Sequence, residues 1–420
     1  MAYSHNVLAG IVTYNPDMDN LKANVDAVAP QVAAVLLVDN GSGNVGEIEC
    51  LAAEYSGTCT DARVDGVGPT GETAGTQQHS DGTRAGRRAG GVGPKKAETA
   101  GKCQHSAGTG VTLLRNGANL GIAAALNRIF RYAASRGYEW VLTLDQDSCV
   151  DADFMAACGE YMNLQEPAAN GRPECNCAAS GSGSGAAAGS SSLRSAGVAS
   201  ITTLRRDRNS DWKNEYDPDA AAEEIDKCIT SGNLVRVSAW QAVGGFNEPL
   251  FIDAVDHEFC YRLREAGFRI LRVNRCLLTH ELGASRNVPW VGRKAIVLGH
   301  SAWRKYHMYR NTVYMLRFVP LSREGNSIEG LCKTFVKTIL YEDRKWDKIT
   351  SSLRGVRDGL RMTPTDFAAA AYTVTTQAEE AEFEQADIRA AANRGGRSGS
   401  NVIYAYFGAD VVPGRERRCA

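Results

Sequence analysis

Apolar runs and amphipathic stretches alternate through the first third of the chain. Val7 to Thr13 is almost wholly apolar and stops at Tyr14-Asn15-Pro16, where proline removes a donor that the ladder needs. Leu21, Val25 and Val28 recur at helical spacing behind Asp17, a residue type that caps helices. Ala33 to Val38 is a second apolar run, and it ends in the turn-forming Asp39-Asn40-Gly41-Ser42. Strand, helix and strand in this order predict a crossover with the two strands parallel. A short helix is expected over Val45 to Tyr55, and a third strand at Val111 to Leu114. A helix from about Ala123 to Ser135 follows, stopped by Gly137, and then the unbroken run Trp140-Val-Leu-Thr-Leu144. A run of this kind suits a strand covered on both faces.

The alternation continues with a helix starting at Asp151 or Asp153 and ending near Leu164, then a strand from Gly197 to Thr203. Ile229 to Val237 carries Thr230-Ser-Gly-Asn233, and Trp240 to Phe246 reads as a short helix. A further helix reaches about Ala266, followed by a strand at Phe268 to Val273 and a separate segment Leu277 to Gly283. From about Arg293 to Phe318 the pattern is helical, basic and aromatic, and helical patterning persists to about Asp366. The class is therefore α/β, with a Rossmann-like, mainly parallel, doubly wound sheet and a helical C-terminal extension. The expected division is a core domain over 1–290, the extension over 291–370 and a poorly ordered tail over 371–420. Two stretches, about 56–110 and 166–196, hold few large apolar side chains and are expected to be disordered insertions.

Composition narrows the function. The net charge of −1 over 420 residues gives no general pull toward nucleic acid. Twelve scattered cysteines are too few for a disulfide scaffold, and Cys175-Asn-Cys177 lacks the spacing of a zinc clip. The opening MAYSHNVLAGIVTYN reads as a first strand rather than a signal peptide. No apolar run is long enough to span a bilayer. These features give a cytoplasmic protein as the expectation.

Candidate chemistry gathers where strands end, since ligands of open α/β sheets bind beyond the carboxyl ends of strands. Asp145 and Asp147 directly follow the apolar run. They read either as turn aspartates or as a pair holding a divalent metal beside a phosphorylated ligand. Asp39 reads as a turn residue or as an acceptor for a nucleobase imide or ribose hydroxyl. Asp256, at a helix start, reads as a cap or as a general base. Asp253 competes for the base role, and Glu258 holds the helix start. His280 is structural unless the two aspartates bind metal and need a third ligand. The helix around Tyr306 to Arg317 reads as a core-packing helix, with contact to an anionic membrane surface as the alternative.

Eight strings in order are similar to the family 2 inverting glycosyltransferases, within which they look most like bacterial-type rhamnosyltransferases. They are VTYNP (12–16), LLVDNGS (36–42), NLGIAAALN (119–127), LTLDQDS (142–148), TSGNLV (230–235), FIDAVDHEFCYRLREAGF (251–268), THELG (279–283) and YRNTVYM (309–315). The resemblance implies the GT-A fold. It implies that Thr13, Asn15, Asp39, Asn119, Gly121 and Asp145 contact the nucleotide. Asp147 and His280 would hold Mg²⁺ or Mn²⁺, and Asp256, ahead of Asp253, would be the catalytic base. The activity implied is transfer of a sugar, L-rhamnose from dTDP-L-rhamnose, to a glycan or lipid-linked acceptor in surface polysaccharide or cell-wall synthesis. Peripheral contact with the inner face of a membrane would accompany a lipid-linked acceptor. The alternatives are a UDP-sugar donor (galactofuranose or a hexose), a sugar-nucleotide nucleotidyltransferase, and a non-catalytic relative that binds a sugar nucleotide or a glycan. A nucleotidyltransferase would need an early glycine-rich basic loop, and the chain has none.

Overall fold

The structure, a computed structural model, describes residues 6–55, 110–162, 164, 197–207, 216–280, 286–290, 293–297, 299–324 and 326–394. Nearly all of both expected insertions lies outside them. The chain opens with β1 (Val7–Thr13), α1 (Met18–Val28), β2 (Ala34–Asp39), α2 (Val45–Tyr55), β3 (Val111–Arg115), α3 (Ile122–Ser135) and β4 (Trp140–Asp145). Asp17 caps α1 as its residue type foretold, its Oδ1 accepting from Asn20 N at 2.9 Å. Next come β5 (Cys149–Val150), α4 (Phe154–Gly159), β6 (Val198–Asp207), β7 (Ala222–Glu224), β8 (Asn233–Arg236), α5 (Val237–Ala242), α6 (Val255–Glu265) and β9 (Arg269–His280). A hairpin of β10 (Arg286–Trp290) and β11 (Arg293–Val297) leads into α7 (Ala302–Phe318), α8 (Ile328–Tyr341), α9 (Lys345–Arg361), α10 (Phe367–Ala370) and α11 (Gln377–Arg394).

The main sheet runs β3-β2-β1-β4-β8-β6-β9-β5, with β7 on the flank of β9. β1, β2, β3 and β4 pair in parallel, as do β6 and β9, while β8 is antiparallel to both its neighbours. The expected class, a mainly parallel sheet with a helical C-terminal region, is the one the chain adopts. Side-chain alternation along the strands feeds two cores. Val7, Ala9 and Ile11 of β1 join Leu142 and Leu144 of β4 on one face, covered by Leu21 and Val25 of α1, Ile48 of α2 and Phe154 of α4. Leu8 and Val12 join Val141 on the other face, covered by Ile129 and Phe130 of α3, Trp240 of α5 and Phe259 of α6. A Cβ on Gly10 would fall 2.4 Å from Ile129 Cγ2, so the bare glycine lets α3 close on the sheet.

Four expectations need correction. The strand at Phe268 to Val273 and the segment from Leu277 are one twelve-residue strand, β9. It runs past the polar Asn274-Arg275 because its pairing with β6 shifts register near Thr203 and Leu204. The helix expected to continue from Asp153 to Leu164 stops at Gly159. The helix expected from Arg293 begins at Ala302, and Arg293–Val297 is a strand instead, as β-branched Ile296 and Val297 favour. The tail expected to be poorly ordered holds α11, whose Phe383 is fully buried. Its acids meet the basic row of α3 and its C-cap: Glu379 with Arg131 at 2.7 Å, Glu382 with Arg128, and Asp387 with Arg136, the cap, at 2.7 Å. A segment of low hydropathy is thus ordered by charge matched to a helix some 250 residues away. No helix among the described residues is long and apolar enough to cross a membrane.

Candidate active site

β4 carries Asp145 to the end of the sheet beside Val12 of β1. The chain then turns, Ser148 N donating to Asp145 O at 3.1 Å, and the turn holds Asp147 beside Asp145. β5 pairs Cys149 with Thr279 of β9, which brings His280 next to Ser148. His280 Nδ1 lies 3.9 Å from Asp145 Oδ2, 3.7 Å from Asp147 Oδ1 and 3.1 Å from Ser148 Oγ. Ser148 Oγ is also 2.5 Å from Ser231 Oγ, which contacts the backbone N–H of Asp145 at 3.1 Å. Asn24 Nδ2 donates to the Asp145 carbonyl at 2.8 Å, so the strand end is tied from both sides.

The three side chains offer ligand atoms within 4.8 Å of one another. Burial pushes the Asp145 carboxyl up to about 6, against the pull of His280, and Asp147 and Asp256 add to the rise. Two crowded carboxylates and an imidazole are a donor set for Mg²⁺ or Mn²⁺, and the raised carboxyl is negative charge that a cation would relieve.

These groups line a cavity of about 810 Å³, together with Tyr14, Asn40, Asn119, Gly121, Asp256 and Trp303. Its size suits a nucleotide-sized ligand. Asn40 organises one end: its Oδ1 accepts from Leu120 N at 3.1 Å and its Nδ2 donates to Asn119 Oδ1 at 3.0 Å. Gly121 sits at φ 88°, and a Cβ there would lie 2.8 Å from the Phe251 carbonyl oxygen, so only glycine fits this approach. Thr13, Asn15 and Asp39 are not on the cavity wall. Asp39 is buried and accepts from Gly41 N and Ser42 N, each at 3.2 Å, and from Thr13 Oγ1 at 3.5 Å. Asn15 N contacts Ser42 Oγ at 2.9 Å and its Oδ1 accepts from Gly43 N at 2.8 Å. The three residues hold together the loops that carry Tyr14 and Asn40.

On the opposite wall the loop after Leu250 enters α6. Phe251, Asp253 and Ala254 all have positive φ, near 64°, 66° and 62°, a left-handed conformation that costs roughly 1–2 kcal/mol per non-glycine residue. Asn311 of α7 restrains the loop: it is fully buried, and its Nδ2 lies 2.9, 2.7 and 2.7 Å from the carbonyls of Leu250, Ile252 and Asp253. Asp253 and Asp256 separate here. Asp253 is paired with Arg304 Nη2 at 3.0 Å, and its Oδ2 is buried with no partner among the described residues. Asp256 faces the cavity, with one oxygen accepting from His257 N at 2.8 Å. Glu258 is fully buried and ion-paired to Arg262 at 2.7 Å, a structural brace for α6.

Sequence reasoning gave no site role to Trp303, Arg304 or Asn311. All three sit on α7, which enters the site from far along the chain. The YRNTVYM string marked the helix without assigning its residues a role. Lys305, Tyr309 and Tyr314 are buried, so α7 packs as a core helix.

Residues 95–175 match the family described as Glycosyl transferase family 2, a stretch that contains both NLGIAAALN and LTLDQDS. The dTDP-rhamnosyl transferase RfbF of Shigella flexneri is 24% identical over 372 residues, spanning 85% of this chain and 96% of its own length. Over residues 95–175 the chain is therefore similar to the family 2 glycosyltransferases. Among solved structures, residues 1–349 of S. aureus TarS with UDP overlay at a TM-score of 0.41 and 11% identity, covering 93% of this chain and 89% of that one. GalNAc-T7 with UDP, GalNAc and Mn²⁺ overlays at 0.42 and 11% identity, covering 75% and 48%. Likeness at that level is too slight to carry fold or function. Asp256 and His280 lie outside the matched family 2 stretch, and the fold brings them to the same cavity as Asp145 and Asp147.

Proposed function

We propose that the protein is a metal-dependent inverting glycosyltransferase that moves L-rhamnose from dTDP-L-rhamnose to a hydroxyl of a glycan or lipid-linked acceptor. The observation that supports this most is the gathering of Asp145, Asp147, His280 and Asp256 on one cavity of about 810 Å³. The rhamnosyl assignment leans on the similarity to RfbF. Asp147 and His280 would hold the cation, with Asp145 beside them completing the acidic site on the side toward the nucleotide. A bound ion would there supply charge neutralisation to a diphosphate leaving group. Asn119, Asn40 and the glycine at 121 shape the nucleotide end, and Thr13, Asn15 and Asp39 act by fixing the loops there. Asp256 takes the proton of the acceptor hydroxyl as its oxygen attacks the anomeric carbon. The bond from that carbon to the diphosphate oxygen breaks, the diphosphate leaves with the electron pair, and the centre inverts in one displacement. Arg304 holds Asp253 in an ion pair, which leaves Asp256 as the base. The product belongs to surface polysaccharide or cell-wall glycan.

The test is thermal protection by dTDP, UDP, GDP, CDP and ADP, each with and without Mn²⁺, because a ligand of the native state alone raises its stability. Protection by dTDP that requires metal and disappears in Asp147→Ala is the expected result. Protection by UDP alone would replace the donor sugar and keep the class. Protection by none would overturn the reading.

A further inference from the structure

Outside the cavity, the described residues leave one apolar face of α8 and α9 unexplained. Ile328, Val336 and Ile339 fall on one stripe of α8, and Trp346, Leu353 and Leu360 recur every seven residues along α9. Ile328 is 72% exposed, Trp346 79%, Leu353 58% and Leu360 59%. Between the two helices opens a groove of about 600 Å³, floored by Val313 and Leu316 of α7. The opposite face of α9 is fully committed: a Cβ on Gly355 would fall 2.4 Å from the Tyr306 carbonyl oxygen, and one on Gly359 2.5 Å from that of Arg310. The apolar stripe is therefore left over after α9 has packed on α7. Single exposed apolar residues are ordinary, but a continuous exposed patch marks an interaction site.

Charge selects the occupant. α8 and α9 carry seven Lys and Arg against three Asp and Glu, in a chain whose net charge is −1. Lys348 is buried against Glu342 and Asp343, and Lys333 and Arg357 pair with Glu329 and Asp358 of their own helices, so the exposed excess is smaller than the count. Arg354, Arg357 and Arg361 fall on the exposed side of α9 beside its stripe, and Lys345 stands next to Trp346. A second copy docking on the same face would set these cations against each other. The chain's own residues 395–420 contain four Arg against one Asp and one Glu, so they match the face no better. An anionic surface with an apolar interior satisfies both the stripe and its flanking cations. We propose that the α8–α9 face docks on a lipid bilayer rich in anionic headgroups, with Trp346, Leu353 and Leu360 entering the interface. This rests on the lipid-linked acceptor of the function proposed above, and moves the membrane contact considered for α7 to α8 and α9. Arg304, Lys305 and Arg310 of α7 are engaged inside the protein, with Asp253, Glu342 and the carbonyls of Pro249 and Leu250. The same helix joins the two sites, since Trp303 and Arg304 line the donor cavity while Val313 and Leu316 floor the groove. The seventeen residues of α7 span about 25 Å, so docking would hold the cavity within roughly one helix length of the lipid surface.

Flotation of the full chain with vesicles tests this, with no nucleotide present. Phosphatidylcholine vesicles are compared with vesicles in which roughly a third of the lipid is phosphatidylglycerol. Capture by the anionic vesicles alone is expected, weakening as salt rises. Two triple variants, W346S/L353S/L360S and R354Q/R357Q/R361Q, should each partition about tenfold less. Both alter only exposed side chains, and an unchanged thermal midpoint would show that the fold survives. Equal capture by neutral and anionic vesicles, or unchanged capture of the variants, would overturn the proposal. So would a concentration-dependent dimer abolished by the apolar variant, or capture that requires removal of residues 395–420. Loss of vesicle capture with intact dTDP protection would sink the lipid face alone, and the reverse pattern would sink the donor reading alone.

Discussion

Asp145→Asn should stabilise the metal-free protein and destabilise it relative to wild type once metal is added. Asp145 stands in the folded chain with its carboxyl raised from 3.8 to about 6 by burial, with His280 opposing and Asp147 and Asp256 contributing. The folded state then binds a proton that the unfolded state releases, so ionising Asp145 costs folding free energy as pH rises through this window. At about 1.4 kcal/mol for each tenfold change in proton affinity, the full cost at neutral pH would be about 3 kcal/mol. The side chain is 37% exposed, and water at the cavity wall screens most of that, leaving about 1 kcal/mol. Asparagine keeps the shape and removes the charge. In a chelating buffer at pH 7 its thermal midpoint should be about 2 °C above wild type. The gap should narrow as pH falls below 6 and be mostly gone at pH 4, where the folded carboxyl is protonated and the unfolded one, near 3.8, is partly so. Saturating Mn²⁺ should reverse the order, because mass action at a hundredfold excess over Kd is worth about 2.7 kcal/mol to a site with its ligands intact. Scanning calorimetry at pH 7 and pH 4, with and without metal, reads all four corners. A variant less stable than wild type in chelator at pH 7, or one that gains as much from Mn²⁺, would refute the account of this site.

Asn311→Ala should lower turnover while metal-dependent nucleotide protection persists, because it frees the carbonyls of Ile252 and Asp253 in the left-handed loop that leads to Asp256. It should also cost about 2 kcal/mol in urea unfolding, the penalty of leaving buried carbonyls unpaired; unchanged turnover would show that the loop holds its shape without the amide. His300 and His307 are both pushed down to about 4, chiefly by burial and then by Arg304 and Lys305 for the first and Arg310 for the second. Their unfolded forms take up protons near 6.5, so their contribution to stability is complete above that pH and is lost as pH falls toward 4. His307→Phe keeps the ring that stacks on Phe251 at 5.4 Å and should lose less stability than wild type between pH 7 and pH 5; equal losses would place the acid sensitivity elsewhere.

The legible parts of the fold were those specified by neighbours in the chain. β1, β2 and β4 are apolar runs that stand out without reference to anything distant, and α1 announces itself through Asp17. β5 and β7, two and three residues long, exist only because β9 is there to pair with, and no local pattern signals them. α11 is the clearest failure of composition. Its stretch is Ala-rich and acidic, features of a solvated tail, and its order comes from Phe383 and from glutamates that meet Arg128 and Arg131 of α3. Low hydropathy argues against a segment folding alone. It does not exclude docking on a surface whose charge is already fixed.

The same distinction separates the legible and illegible parts of the site. Asp145 and Asp147 were visible because a strand end and its carboxylates lie in one local run. The wall that carries Asp256 was half hidden because α7 supplies part of it from a sequence that reads equally as core or surface. Residue type could not tell that Arg304 faces Asp253, that Lys305 is buried against Glu342, or that Asn311 meets three carbonyls. Each depends on the angle at which α7 crosses the loop after Leu250. That crossing is set in turn by α9, whose glycines at 355 and 359 bring its backbone against α7. A bulky residue at either position would therefore displace the helix that aims Asp256, although neither glycine touches the cavity. The reach of the cavity thus extends through backbone contact into the C-terminal helices, which brace its wall rather than hang from the sheet as an appendage.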